Sequence, residues 1–147
     1  MRRLSWIGVT LVIAACQEAT SPRTGLDALR ISVRAVPDTV VAGSPADILL
    51  ALTNTTGHAV DIYSCPAYFW VQGSKGDVVS GSRTGSCVAI GLPPLHFEPG
   101  ESRLLRYTWF GAYTEAMLPG TYALYGWINE DTHASPPARV TVQAPAP

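Results

Sequence analysis

The sequence predicts an all-β fold, an antiparallel two-layer β-sandwich of about seven to nine short strands. Three observations carry that prediction. Apolar residues recur with a period of two, as in Leu29, Ile31, Val33 and Ala35 set against Arg30, Ser32 and Arg34. Turn formers punctuate the chain closely, with 13 Gly and 12 Pro in 147 residues. No stretch sustains a helical period between good caps.

The first element is not part of the sandwich. Met1-Arg2-Arg3 is a short basic head, and Leu4 to Ala15 is an apolar run of 12 residues. A bilayer-spanning helix needs about 20 such residues, so the run suits the apolar region of a secretory signal peptide. It ends Ile13-Ala14-Ala15-Cys16. That ending resembles the lipobox of bacterial lipoproteins. The resemblance implies cleavage after residue 15, lipidation of Cys16 and a cell-envelope location. Gln17 follows where an Asp would signal inner-membrane retention in enterobacterial lipoproteins, which points to the outer membrane if the cell has one. Residues 16–25 then read as a lipidated polar tether.

The sandwich is expected over residues 26–143, with 144–147 as a tail. After the first alternating strand, Pro37-Asp38 turns the chain into Thr39–Ala42, and Gly43-Ser44-Pro45 turns it again. Ala46 to Thr53 is an apolar strand ended by Asn54-Thr55-Thr56-Gly57. Ala59–Tyr63 and Ala67–Gln72 follow, the second placing Phe69 on the face opposite Tyr68 and Trp70. A short strand is expected at Gly76–Val79, and an exposed loop over residues 80–86. Pro93-Pro94 and Glu98-Pro99-Gly100-Glu101 read as breakers. Arg103–Trp109 puts Leu105, Tyr107 and Trp109 on one side. Leu118-Pro119-Gly120 is a turn, Thr121–Ile128 a strong strand, and Arg139–Gln143 the last strand.

Charge and cysteine usage narrow the function. Removing residues 1–15 takes away Arg2 and Arg3, leaving eight cationic and eleven acidic side chains, a net charge of −3. A nucleic-acid partner is therefore not expected. Cys65 and Cys87 are the two other cysteines, and export to an oxidising compartment makes a disulfide between them the expected state. Closing a loop of that length stabilises by roughly 3 kcal/mol in the chain-entropy account.

Leu118-Pro119-Gly120-Thr121-Tyr122 resembles the tyrosine-corner segment of immunoglobulin-like domains, which implies an immunoglobulin-like sandwich. A second resemblance spans about residues 46–143. Its parts are Leu52-Thr53-Asn54, Val60-Asp61-Ile62, Tyr68-Phe69-Trp70, Gly76-Asp77-Val78, Glu98-Pro99-Gly100-Glu101, Tyr107-Thr108-Trp109 and Pro119-Gly120-Thr121-Tyr122. This order is similar to that of the BsuPI-type intracellular proteinase inhibitor family. The resemblance implies the same sandwich and an inhibitory contact with a protease. The export signal and the cysteine pair depart from that family's intracellular pattern.

Catalytic signatures are sparse. His58, His96 and His133 are far apart, and no nucleophile elbow, zinc helix, phosphate loop or cofactor motif occurs. His58 and His133 read as solvated loop residues, Glu98 and Glu101 as polar turn residues, and Asp131 with His133 supplies too few ligands for a metal. Asn54-Thr55-Thr56 matches a glycosylation acceptor. The expected function is thus non-enzymatic binding of another protein, a protease or an envelope component. Candidate contacts are Arg83, in the loop before Cys87, and Phe110, Tyr113 and Met117, in the segment linking two strands. The alternatives are a structural or assembly accessory of the envelope, or a carbohydrate-binding module that uses exposed Trp and Tyr, against which full burial of Trp70, Trp109 and Trp127 would count.

Overall fold

The structure is a computed structural model and describes residues 25–62, 67–82, 94–110, 118–128 and 133–146. A single 3-10 turn, Gly25–Ala28, leads into strand β1 (Leu29–Val36). The strands that follow are β2 (Thr39–Val41), β3 (Pro45–Asn54), β4 (Val60–Ile62), β5 (Tyr68–Gln72) and β6 (Val78–Gly81). Then come β7 (Leu95–Phe97), β8 (Ser102–Phe110), β9 (Gly120–Ile128), β10 (His133–Ala134) and β11 (Ala138–Gln143).

They form an immunoglobulin-like sandwich. One sheet has the order β1-β3-β8, and the other β2-β11-β9-β5-β6 with β10 added beside β9; β4 and β7 pair separately. This is the arrangement in which the first two long strands and a later one face the sheet built on the last strands. Pairing is antiparallel except between β2 and β11, which run parallel. The chain makes that pairing by leaving the first sheet after Val36 and joining the second at Thr39.

The period of two builds the core. Ile31, Val33 and Ala35 on β1 and Ile48, Leu50 and Leu52 on β3 point inward. They meet Phe69 and Val71 from β5, Leu124 and Ile128 from β9, and Val140 and Val142 from β11. Phe69 turns inward, opposite in sense to Trp70, as alternation requires. The core residues among those described lie between Ala28 and Val142.

Gly126 sets how closely the sheets approach. A Cβ there would stand 2.0 Å from Leu50 Cδ1 and 3.3 Å from both Ile31 Cγ2 and Val33 Cβ. An added methyl would force Leu50 aside or β9 away from β1 and β3.

The tyrosine corner is present. Tyr122, near the start of β9, donates its hydroxyl to the Leu118 carbonyl. The Glu98–Glu101 breaker is a turn closed by Glu101 N–H to Glu98 O at 3.0 Å. Pro99 fits its second position, and Gly100 supplies the positive φ of 74° at its third.

Several sequence expectations are corrected. The strand placed at Gly76–Val79 lies at Val78–Gly81, because Gly73–Asp77 closes the hairpin turn through Gly76 N to Gly73 O and Gly73 N to Asp77 O. Ser80 and Gly81 are therefore strand residues, not loop. Leu95–Phe97 was not foreseen; three residues between breakers form β7 only because β4 pairs with them. His133 is not a solvated loop residue. It opens β10 and its ring meets the Leu29 carbonyl at 2.9 Å. The strand segments number eleven among the described residues, above the expectation, since several are two or three residues long.

Candidate functional site

Of the residues singled out from sequence, Cys16, Cys65, Arg83, Cys87, Tyr113 and Met117 lie outside the described residues. Phe110 is described: it is the last residue of β8, 54% exposed, opposite Pro45 of β3.

β8 is an edge of its sheet among the described residues. It pairs with β3 over its whole length. Its other side has no strand partner among the described residues. Ser102, Leu104, Arg106, Thr108 and Phe110 face outward, with Leu104 63% exposed. The inward residues hold the strand down. Tyr107 donates its hydroxyl to the Ala67 carbonyl and lies 5.6 Å from the Phe69 ring, centroid to centroid. Burial raises the Tyr107 phenol above its ordinary pKa, so it stays a donor. Trp109 Nε1 donates to Ser80 Oγ at 3.0 Å. β8 is thus a fixed edge, fastened on its inner face to the β5/β6 margin of the other sheet.

At the opposite end of β8 the polar residues form two linked clusters. Asn54 takes the last inward position of β3 and is 1% exposed. Its Nδ2 donates to the carbonyls of His58 (2.8 Å), Phe97 (3.2 Å) and Glu98 (3.1 Å). Its Oδ1 accepts from Thr56 N (2.9 Å) and Thr56 Oγ1 (2.7 Å). A nitrogen so engaged is closed to glycosylation in the folded chain.

Outside this knot, His96 of β7 lies between two carboxylates. Nδ1 is 2.6 Å from Asp61 Oδ1 and Nε2 is 3.3 Å from Glu98 Oε1. The Asp61 hydrogen bond, then the Glu98 one, raises the His96 pKa. Glu101 bonds the Glu98 N–H (2.8 Å) and Arg103 Nε (2.9 Å), and these contacts lower its pKa. The Arg103 guanidinium sits 4.6 Å above the Phe97 ring. Glu98 and Glu101 are therefore ion-pairing residues and not merely turn residues. Charged, the imidazole binds both carboxylates and presents no lone pair to a proton or a metal. Among the described residues no three His, Cys, Asp or Glu side chains group for a metal ion. This cluster leaves no local mark in the sequence, because Asp61 and His96 are brought together by the β4–β7 register.

The tryptophans divide. Trp109 is buried. Trp70 and Trp127 are half-buried on the outer face of the β5–β9 pair, with ring centroids 3.7 Å apart and Tyr68 and Tyr125 beside them. The two rings cover each other instead of presenting an open platform. Their Nε1 atoms are buried and find no acceptor among the described residues. Below them a shallow groove of about 380 Å³ is lined by Gln72, Ser74, Thr121, Ala123 and Arg139 among others.

No protein-family model matches the chain. No curated protein matches it in sequence. Its fold is similar to part of the sporulation control protein Spo0M from Bacillus subtilis, with a TM-score of 0.56, 11% identity, and coverage of 80% of this chain and 50% of that one. It is also similar to part of the alkylpurine DNA glycosylase AlkC from Pseudomonas fluorescens, solved bound to DNA containing an abasic site analog (TM-score 0.54, 12% identity, 80% of this chain). The chain spans 31% of the glycosylase's length. The CARDB domain of PF1109 from Pyrococcus furiosus, solved with di-metal ions, aligns over 78% of this chain and 91% of its own at 16% identity and a TM-score of 0.47. At these identities the likeness to Spo0M and AlkC is one of fold alone.

Proposed function

We propose that this chain is a non-enzymatic binding module, exported and lipid-anchored through Cys16, that engages another protein at the cell envelope. The observation that carries this reading is the edge of β8 along Ser102–Trp109, which pairs with no second strand among the described residues. A free edge offers backbone N–H and C=O groups to an incoming extended segment, while alternate side chains select it. Phe110, 54% exposed at the end of the strand, supplies an apolar part of such a contact.

A protease is the sharpest version of the partner. The segments that resemble the BsuPI-type inhibitors form the scaffold under this edge: Asn54 and Glu98–Glu101 at one end, Tyr107–Trp109 along it, and the Tyr122 corner after it. A Cys65–Cys87 bridge is part of the proposal. β5 and β6 pair at Trp70 and Gly81, and Ser82 N–H reaches the Phe69 carbonyl at 2.9 Å. The chain leaving toward each cysteine therefore departs from the same end of one hairpin, well within bridging reach.

The test is titration of the oxidised chain beginning at Gln17 against subtilisin-like and trypsin-like proteases. Saturable inhibition near equal molarity supports the reading. Loss on Phe110→Ala places the contact at the β8 edge, and loss on Arg83→Ala moves it to the loop before Cys87. A folded, uncleaved domain that inhibits none of them overturns the protease partner and leaves an envelope component as the binding target.

A further inference from the structure

We infer that the outer face of the β1-β3-β8 sheet docks on an anionic phospholipid surface. The register builds this face in rows. Arg34, Leu49 and Arg106 share one cross-strand row; Ser32, Ala51 and Leu104 form the next; Arg30 heads the row beyond. Arg30, Arg34 and Arg106 are all exposed. Arg106 pairs with Asp47, whereas Arg30 and Arg34 have no carboxylate partner among the described residues.

The charge of the protein is segregated. The described residues carry six cationic and seven acidic side chains. Three of those cations stand on this one face against a single carboxylate, Asp47, so the rest of the described surface is net acidic. Attraction to negative charge is therefore local and oriented. Small Ser and Ala side chains between the arginines keep the face level, which suits a plane of headgroups. Arg guanidinium groups match phosphate oxygens. Leu104, 63% exposed beside Arg106, can enter the headgroup boundary.

The inference rests on the proposed anchoring at Cys16. Eight residues lie between Cys16 and Gly25, a reach of about 30 Å at most. The first strand after that tether is β1, the edge that carries Arg30 and Arg34. An acyl chain combined with a basic face holds a membrane more firmly than either alone. Each arginine near an anionic surface adds about fivefold to binding.

The experiment is co-sedimentation of the chain beginning at Gln17, which keeps every described core residue, with phosphatidylcholine vesicles and with vesicles containing phosphatidylglycerol. Partition into the anionic vesicles alone, suppressed by high salt, is the expected result. The double variant Arg30→Gln with Arg34→Gln should bind at least about tenfold more weakly. Arg139→Gln, on the other sheet, should bind as the parent does, and thermal melting of each variant reports its folding. Equal partition into both vesicle types, or partition indifferent to Arg30 and Arg34, overturns the inference. Binding to polyglutamate without binding to vesicles also overturns it, in favour of an acidic protein. The anchoring reading is checked separately, by the mass of Cys16-containing peptide from membrane-extracted full chain. Its failure would leave an unacylated Cys16 while the vesicle result stood unchanged.

Discussion

The side-chain amide of Asn54 donates to the backbone carbonyl of Phe97 at 3.2 Å, joining the end of β3 to a strand of a separate sheet. The same amide holds the carbonyls of His58 and Glu98, so one buried side chain satisfies the turns on both sides of it. Asn54→Ala would leave these carbonyls without their donor and should destabilise the domain by roughly 2 to 4 kcal/mol in urea unfolding. Asn54→Asp should fail similarly, since an ionised carboxylate cannot donate. A loss below about 1 kcal/mol for both variants would show that the knot is not structural.

Tyr122 and Leu118 make the second local fastening. The hydroxyl closes the corner that precedes β9, and the ring packs against the core. Tyr122→Phe keeps the ring and removes the hydrogen bond. The expected loss is about 1 kcal/mol, with faster amide exchange confined to residues around Leu118–Thr121. Unchanged exchange there would argue against a role for the corner.

The close approach of Gly126 to Leu50 predicts a compensating pair. Gly126→Ala must push the sheets apart or displace Leu50, costing about 1 to 3 kcal/mol or more. Leu50→Ala alone should cost about 2 to 5 kcal/mol through the cavity it leaves. Combined, the new methyl occupies space that Leu50 vacates, so the double variant should lose clearly less than the two single losses added together. Strict additivity in a double-mutant cycle would mean that the two side chains do not share this space.

Much of the sandwich is legible in the sequence because its signals are local. Alternation in Leu29–Ala35, the Pro-Gly turns and the Leu118–Tyr122 corner are each contained within a few residues. β7 and β10 were not legible, because strands of three and two residues carry too little periodicity and exist through their partners. The polar clusters were hidden for the same reason. Asn54 looks like a strand-ending turn residue, and its burial appears only when Phe97 and Glu98 fold back over it. Asp61 and His96 are 35 positions apart and meet through one register of a short ladder. The outer arginines illustrate the opposite case. Arg30 and Arg34 read correctly as exposed, but their union with Arg106 needs the order β1-β3-β8.

His96 predicts a pH dependence whose sign follows from its neighbours. The Asp61 hydrogen bond, and then the Glu98 one, raises its folded pKa above the unfolded value near 6.5. The folded state therefore binds the imidazole proton more tightly than the unfolded state does. This contribution is complete below about pH 6.5 and is lost as the pH rises from there through the raised folded value. Stability measured against His96→Gln should thus be greatest on the acidic side, and the difference should shrink with rising pH. High salt should reduce it, because all three side chains are exposed. Urea midpoints followed across this range, with the imidazole titrated by NMR, check both parts. A folded-state pKa at or below about 6.5 would remove the ion clamp as a stabilising link between β4 and β7.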